Sequence, residues 1–231
     1  RTMDQVLVSV AYSNSNVKLA GTHSGLAVGE DGPSAQMIVD LAYTRAIPNM
    51  IVIQPADWEE AVQATKAAAE YKGPIYLRLG RPTVKGVYDS SYKFAIGKAS
   101  VVRTGNDIVV FATGALVQES LQAAEALENE NISVSVINVS TLKPLDETLV
   151  VSEAKKHGAV VTAEDHNIIG GLSDAVRQAL TNHEVSVPIQ SVAVGDCFAE
   201  TGTGPELYKK YGLAASHVSN KIKQALSKKK S

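Results

Sequence analysis

Met50-Ile51-Val52-Ile53-Gln54-Pro55-Ala56-Asp57-Trp58-Glu59-Glu60-Ala61, continued to Ile75-Tyr76-Leu77-Arg78-Leu79, decides the fold. Met50 to Gln54 is apolar with little alternation, the pattern of a strand covered on both faces. Asp57 with Glu60 three residues on forms a capping-box pattern, and Ala61, Ala64, Ala68 and Tyr71 then recur at helical spacing. Ile75 to Leu79 returns to an apolar strand. A strand, a capped helix and a second strand predict a mainly parallel sheet with helices on its faces.

The same alternation extends in both directions. Upstream, Val17 to Thr22 reads as a strand, and a Gly-rich loop leads into a helix expected over Ser34 to Ala46. From Arg81 to Lys93 the periodicity vanishes, and Pro82, Gly86 and Asp89-Ser90-Ser91 mark a linker. Beyond it, strands are expected at 107–112, 133–139, 160–163 and 189–194, with helices at 116–129, 145–156, 171–182 and the C-terminal end. The expected fold class is α/β, in two domains that are each a mainly parallel sheet flanked by helices. The division is residues 1–82, a linker over 83–95, and residues 96–231.

With 231 residues and 45% hydrophobic content, the chain can bury a sizeable core. Its net charge of -2, with acids and bases interspersed, gives no reason to expect nucleic acid or a membrane as partner. Lys228-Lys229-Lys230 reads as a solvated end. Cys197 is the single cysteine, so no intrachain disulfide can form, and a cytoplasmic location is expected. Met3, Val6, Leu7, Val10 and Ala11 show helical spacing from the first turn with no capping residue before them. The chain is therefore expected to start inside an element of a longer polypeptide.

The chemistry concentrates in Gly21-Thr22-His23-Ser24-Gly25-Leu26-Ala27-Val28-Gly29-Glu30-Asp31-Gly32-Pro33-Ser34, where an imidazole and a carboxylate flank a glycine-rich turn just after a strand. The bland reading is a polar turn in which Asp31 or Ser34 caps the next helix. The run resembles the substrate and cofactor loop of transketolases, Thr/Ser-His-x6-Gly-Glu-Asp-Gly-Pro-Ser/Thr. The resemblance continues through Arg45-Ala46-Ile47-Pro48-Asn49-Met50, Gln54-Pro55-Ala56-Asp57 and Leu77-Arg78-Leu79-Gly80-Arg81-Pro82. It reaches Thr141-Leu142-Lys143-Pro144-Leu145-Asp146 and Ala163-Glu164-Asp165-His166, and covers essentially the whole chain.

The resemblance implies roles for individual residues. His23 would contact the donor ketose and support proton transfer at its carbonyl, the one catalytic assignment. Asp31 would hydrogen-bond a donor hydroxyl, and Arg81 would hold the sugar phosphate through its planar fork. Arg78, three residues before Arg81, is expected to face the other way in a structural salt bridge. Many transketolases have His or Gln at the position of Ala35, so Gln36 is the substitute candidate for a cofactor contact. Glu164-Asp165-His166 is expected just after a strand, with Asp165 or Asn167 capping the following helix and His166 at an interface.

The resemblance further implies thiamine diphosphate and Mg2+ in the complete enzyme. The family's catalytic glutamate and pyrimidine-stacking aromatics precede the matched region, and no Gly-Asp-Gly and Asn diphosphate–metal motif occurs in the sequence. No metal ligand is therefore assigned, and no cofactor binding is expected from this chain alone. The expected partner is an N-terminal diphosphate-binding domain or subunit, in a homodimer or a heterotetramer, with sugar phosphates as substrates. The expected reaction moves a two-carbon ketol unit from a ketose phosphate to an aldose phosphate. The alternatives are a deoxyxylulose-phosphate synthase-like enzyme, whose usual turn reads Gly-Ala-Asp-Gly, and a non-catalytic subunit completing a partner's site.

Overall fold

The computed structural model describes residues 2–81 and 83–229. It opens with a helix that is α-helical over Met3–Gln5 (α1) and widens to π-helical over Val6–Tyr12. Strand β1 (Lys18–Ser24), helix α2 (Asp40–Ala46), β2 (Ile51–Ile53), α3 (Trp58–Glu70) and β3 (Ile75–Gly80) follow. The rest is β4 (Ser100–Arg103), β5 (Ile108–Ala112), α4 (Leu116–Glu128), β6 (Val134–Asn138), β7 (Thr141–Lys143), α5 (Glu147–His157), β8 (Val160–Asn167), α6 (Leu172–Asn182), β9 (Ile189–Val194), α7 (Gly204–Lys210) and α8 (Ala215–Leu226).

Two sheets result, in the orders β1-β3-β2-β7 and β4-β6-β5-β8-β9. Pairs β1/β3 and β2/β3 are parallel, as are β5/β6, β5/β8 and β8/β9. The antiparallel edges are β7 on the first sheet and β4 on the second. Neither was expected. Both are short, and β7 sits between two elements whose periodicity is much stronger. Lys143 at the end of β7 donates to the carbonyls of Arg45 (2.9 Å) and Ile47 (2.5 Å), so it occupies acceptors left open at the end of α2.

Two other expectations are corrected. The helix expected from Ser34 starts only at Asp40, because residues 36–38 bridge the two sheet ends: Gly25 N–H donates to Met37 O and Asn167 N–H to Ile38 O, both at 2.8 Å. Strand β8 also runs through 164–167 instead of stopping at Ala163. Glu164, Asp165 and His166 therefore lie inside an element and are fully or almost fully buried.

The segment after β3 is held to α3 by two carboxylates. Asp57 caps α3 by accepting from Glu60 N–H (2.9 Å) and also accepts from Val87 N–H (2.6 Å) and Tyr88 N–H (2.8 Å). Glu60 is fully buried and accepts from Ala56 N–H (2.7 Å), Tyr92 O–H (2.8 Å) and Asn138 Nδ2 (2.8 Å), so α3, the connecting segment and β6 meet on one side chain. Burial pushes its carboxyl pKa up despite these bonds. The Asp57–Glu60 pattern is thus only half a reciprocal box, since Glu60 reaches Ala56 and not Asp57.

Candidate active site

The loop after β1 is shaped by positive backbone angles. His23 has φ +62, and Gly25 (+80), Gly29 (+73) and Gly32 (+78) follow. Gly25 admits no side chain, since a Cβ there would lie 2.1 Å from Asp165 Oδ2. This close approach lets Leu26 N–H donate to Asp165 Oδ1 at 2.9 Å, while Tyr208 O–H holds Oδ2 at 2.8 Å. Leu26, Val28 and Gly29 are buried by the packing, which fixes the loop to the second sheet.

His23 is exposed, and its Nδ1 lies 3.1 Å from Thr22 Oγ1. At the far end of the loop, Arg81 Nη1 donates to Val28 O at 2.6 Å and lies 3.4 Å from Asp31 Oδ2 and 3.9 Å from Glu30 Oε2. The structure therefore brings Asp31 and Arg81 together, and no side-chain bond joins His23 to either. These half-exposed ion pairs are worth little as stabilisers, which leaves the guanidinium free to exchange partners. Gln36 is turned inward, donating to Gly29 O (3.3 Å) and Glu200 O (3.0 Å) with Oε1 unpartnered, while Ala35 stays exposed.

Behind the loop lies a cleft of about 360 Å³ between the two sheets, whose lining includes Gln54, Trp58, Arg78, Arg81, Asp165 and Tyr208. Arg78 is 1% exposed and donates from Nε to Asp40 at 2.8 Å and from Nη2 to the carbonyls of Met37 (3.0 Å) and Asp165 (3.1 Å). This is the structural salt bridge expected for it. Burial alone would raise the Asp40 carboxyl, but the charge and hydrogen bond of Arg78, with Tyr76 O–H at 2.6 Å, hold it below the usual range.

Glu164 accepts from Leu172 N–H (2.6 Å) and Ser173 N–H (2.8 Å) and so caps α6, the role expected of Asp165 or Asn167. Its greater reach from a buried strand explains the exchange, since Asp165 is spent on Leu26 and Tyr208. Burial drives the Glu164 pKa up to about 7. His166 stays neutral, its pKa pushed down to about 4 by burial and by the Arg78 charge. Its Nδ1–H donates to Asn167 O (2.7 Å), and its Nε2 accepts from Ala42 N–H (3.3 Å).

Gln54, Trp58 and Tyr208 were not singled out in advance as site residues. The signal for Gln54 was its place at the carboxyl end of an apolar strand, where ligands gather in α/β sheets. Tyr208 lies on a late helix and had no such mark. Among the described residues, no group of three or more His, Cys, Asp or Glu side chains could hold a metal ion. No described helix is long and apolar enough to cross a membrane.

Residues 1–86 match the model of the transketolase pyrimidine-binding domain, and residues 97–218 match that of the transketolase C-terminal domain. A Methanocaldococcus jannaschii protein assigned as a transketolase C-terminal section is 39% identical over 95% of this chain and 69% of its own length. A 6-deoxy-6-sulfo-D-fructose transketolase subunit of Clostridium sp. is 39% identical over 94% of this chain and 67% of its own length. A split-gene transketolase solved as an inactive tetramer superposes with a TM-score of 0.93 at 40% identity, over 100% of this chain and 73% of that one. Two domain matches in the expected order, on two mainly parallel α/β sheets, make this chain a member of the transketolase family.

Proposed function

We propose that the chain is the C-terminal part of a transketolase that transfers a two-carbon ketol unit from a ketose phosphate to an aldose phosphate. The observation that carries the reading is the pairing of Asp31 with Arg81 at the rim of a loop that begins at His23. A carboxylate that accepts from sugar hydroxyls stands beside a guanidinium that binds phosphate oxygens, which is a donor-sugar site in outline. The exposed His23 ring, whose hydrogen-bond partner among the described residues is Thr22, is free to exchange a proton near a carbonyl.

Thiamine diphosphate, when bound in the complete enzyme, supplies the carbanion chemistry that carries the two-carbon unit. The diphosphate and Mg2+ are assigned to a partner domain or subunit, in a homodimer or a heterotetramer. Of the residues here, His23 and Asp31 orient the donor, Arg81 selects phosphorylated sugars, and Gln36 acts by bracing the loop against Glu200 O. Residues 1–82 and 96–231 are taken as the two domains, joined by 83–95, in a cytoplasmic enzyme.

The experiment is a ketol-transfer assay on the chain combined with its diphosphate-binding partner, thiamine diphosphate and Mg2+. Transfer from a ketose phosphate without any need for pyruvate supports the reading. A strict requirement for pyruvate with release of carbon dioxide would replace it with the deoxyxylulose-phosphate synthase alternative. An assembly in which His23, Asp31 and Arg81 can all be removed without loss of rate would make this a non-catalytic subunit.

A further inference from the structure

The run Glu164-Asp165-His166 has no part in the proposed reaction, yet Asp165 reaches the donor loop directly. The short helical turn Leu26–Asp31 opens on Gly25, which has no side chain to cap it. The cap comes instead from β8, where Asp165 Oδ1 accepts from Leu26 N–H at 2.9 Å. A local cap is sterically barred, since a Cβ at Gly25 would lie 2.1 Å from Asp165 Oδ2.

Asp165 is itself firmly held. Tyr208 O–H on α7 donates to its Oδ2 at 2.8 Å, Arg78 Nη2 donates to its carbonyl at 3.1 Å, and it is 4% exposed. The pairing of β8 with β9 is irregular between Ala163 and Asn167, the kind of break that re-aims a side chain beside a site. The body of the turn leans the same way. Leu26 shares one core with Val194, Leu207 and Tyr208, and a Cβ at Gly29 would lie 3.1 Å from Gly202 O and one at Gly32 2.7 Å from Thr201 Oγ1. That turn also presents Val28 O to Arg81 at 2.6 Å and carries Asp31, 3.4 Å from the same Nη1. Whatever moves Leu26 therefore moves both supports of the Asp31–Arg81 pair.

We propose that Asp165, backed by Tyr208, is a positioning residue for ketol transfer, capping the turn Leu26–Asp31 from the second sheet so that Asp31 and Arg81 face the donor together. The inference rests on the donor site proposed above. It gives the second sheet a task in that site, exerted through the loop and not by contact with the reacting atoms.

The test has two readouts. In the full chain, Asp165→Ala should speed hydrogen exchange at the Leu26 amide by at least about tenfold, the scale of a lost bond to a buried carboxylate. In the assembled enzyme it should lower kcat/KM for a ketose phosphate by at least about tenfold. Asp165→Asn should recover most of both, because its oxygen still accepts from Leu26 N–H and its amide can donate to Tyr208 Oη. Combined with Asp31→Ala, the loss from Asp165→Ala should fall well short of the product of the single losses, since the two residues act through one turn. Tyr208→Phe, which strips the donor from Oδ2, should give smaller changes in the same direction, and it carries the test where Asp165→Ala does not fold. Leu26 exchange that stays unchanged, or losses that multiply, would overturn the proposal. Full transfer by Asp31→Ala would instead refute the donor site, and the Leu26 exchange would still decide whether Asp165 holds the loop.

Discussion

Replacing Glu164 by Gln should make the fold gain stability, relative to the unmodified chain, as pH rises from 4.5 to 7. The Glu164 pKa is raised from its ordinary 4.5 to about 7, so between these values the folded state holds a proton that the unfolded state has lost. Its contribution to stability is therefore complete at low pH and is lost as pH rises through that window. His166, lowered from 6.5 to about 4, runs the other way. The unfolded state holds its proton longer, so that contribution grows from about pH 4 to 6.5. At roughly 1.4 kcal/mol per pH unit of separation, each slope amounts to about 3 kcal/mol. They cancel over much of the shared range. Glu164→Gln should unmask the rise and His166→Asn the fall, each as a difference of about 3 kcal/mol from the unmodified chain. Urea denaturation followed by circular dichroism at half-unit pH steps reads this directly. Constant differences across the range, whatever their offset, would refute the reasoning.

Within the assembled enzyme, His23→Ala and Asp31→Ala should each lower ketol transfer by about 10² to 10⁴-fold without changing the thermal midpoint, because both side chains are exposed. Arg81→Ala should raise KM for phosphorylated sugars far more than for their unphosphorylated analogues, and Arg81→Lys should recover little. Equal effects on both sugar types would assign Arg81 to bracing Val28 O. Glu60→Ala should cost about 3 kcal/mol in chemical denaturation, because it strips an acceptor from Asn138, Tyr92 and Ala56 at once.

Most of the fold was legible because apolar strands and capped helices alternate with little interruption from Met50 to Val194. The failures share one cause. Residues 36–38, Thr141–Lys143 and 164–167 are each decided by a distant strand or loop, and local periodicity carries no trace of such a partner. At the site, the types of His23, Asp31 and Arg81 were readable, but the inward turn of Gln36 was not, because its acceptors include Glu200 O, which lies far away in sequence. The cleft was the least legible part. Gln54 and Arg78 meet through the pairing of β2 with β3, and the start of α4 joins them only when the two sheets pack.

The most direct test of the central claim follows the carbon. A ketose phosphate isotopically labelled at its first two carbons is supplied to the assembled enzyme with an unlabelled aldose phosphate. The account predicts that both labelled carbons arrive together in a ketose two carbons longer than the acceptor, and that Asp31→Ala slows the transfer. Label that remains in the donor, or that leaves one carbon at a time, would contradict it.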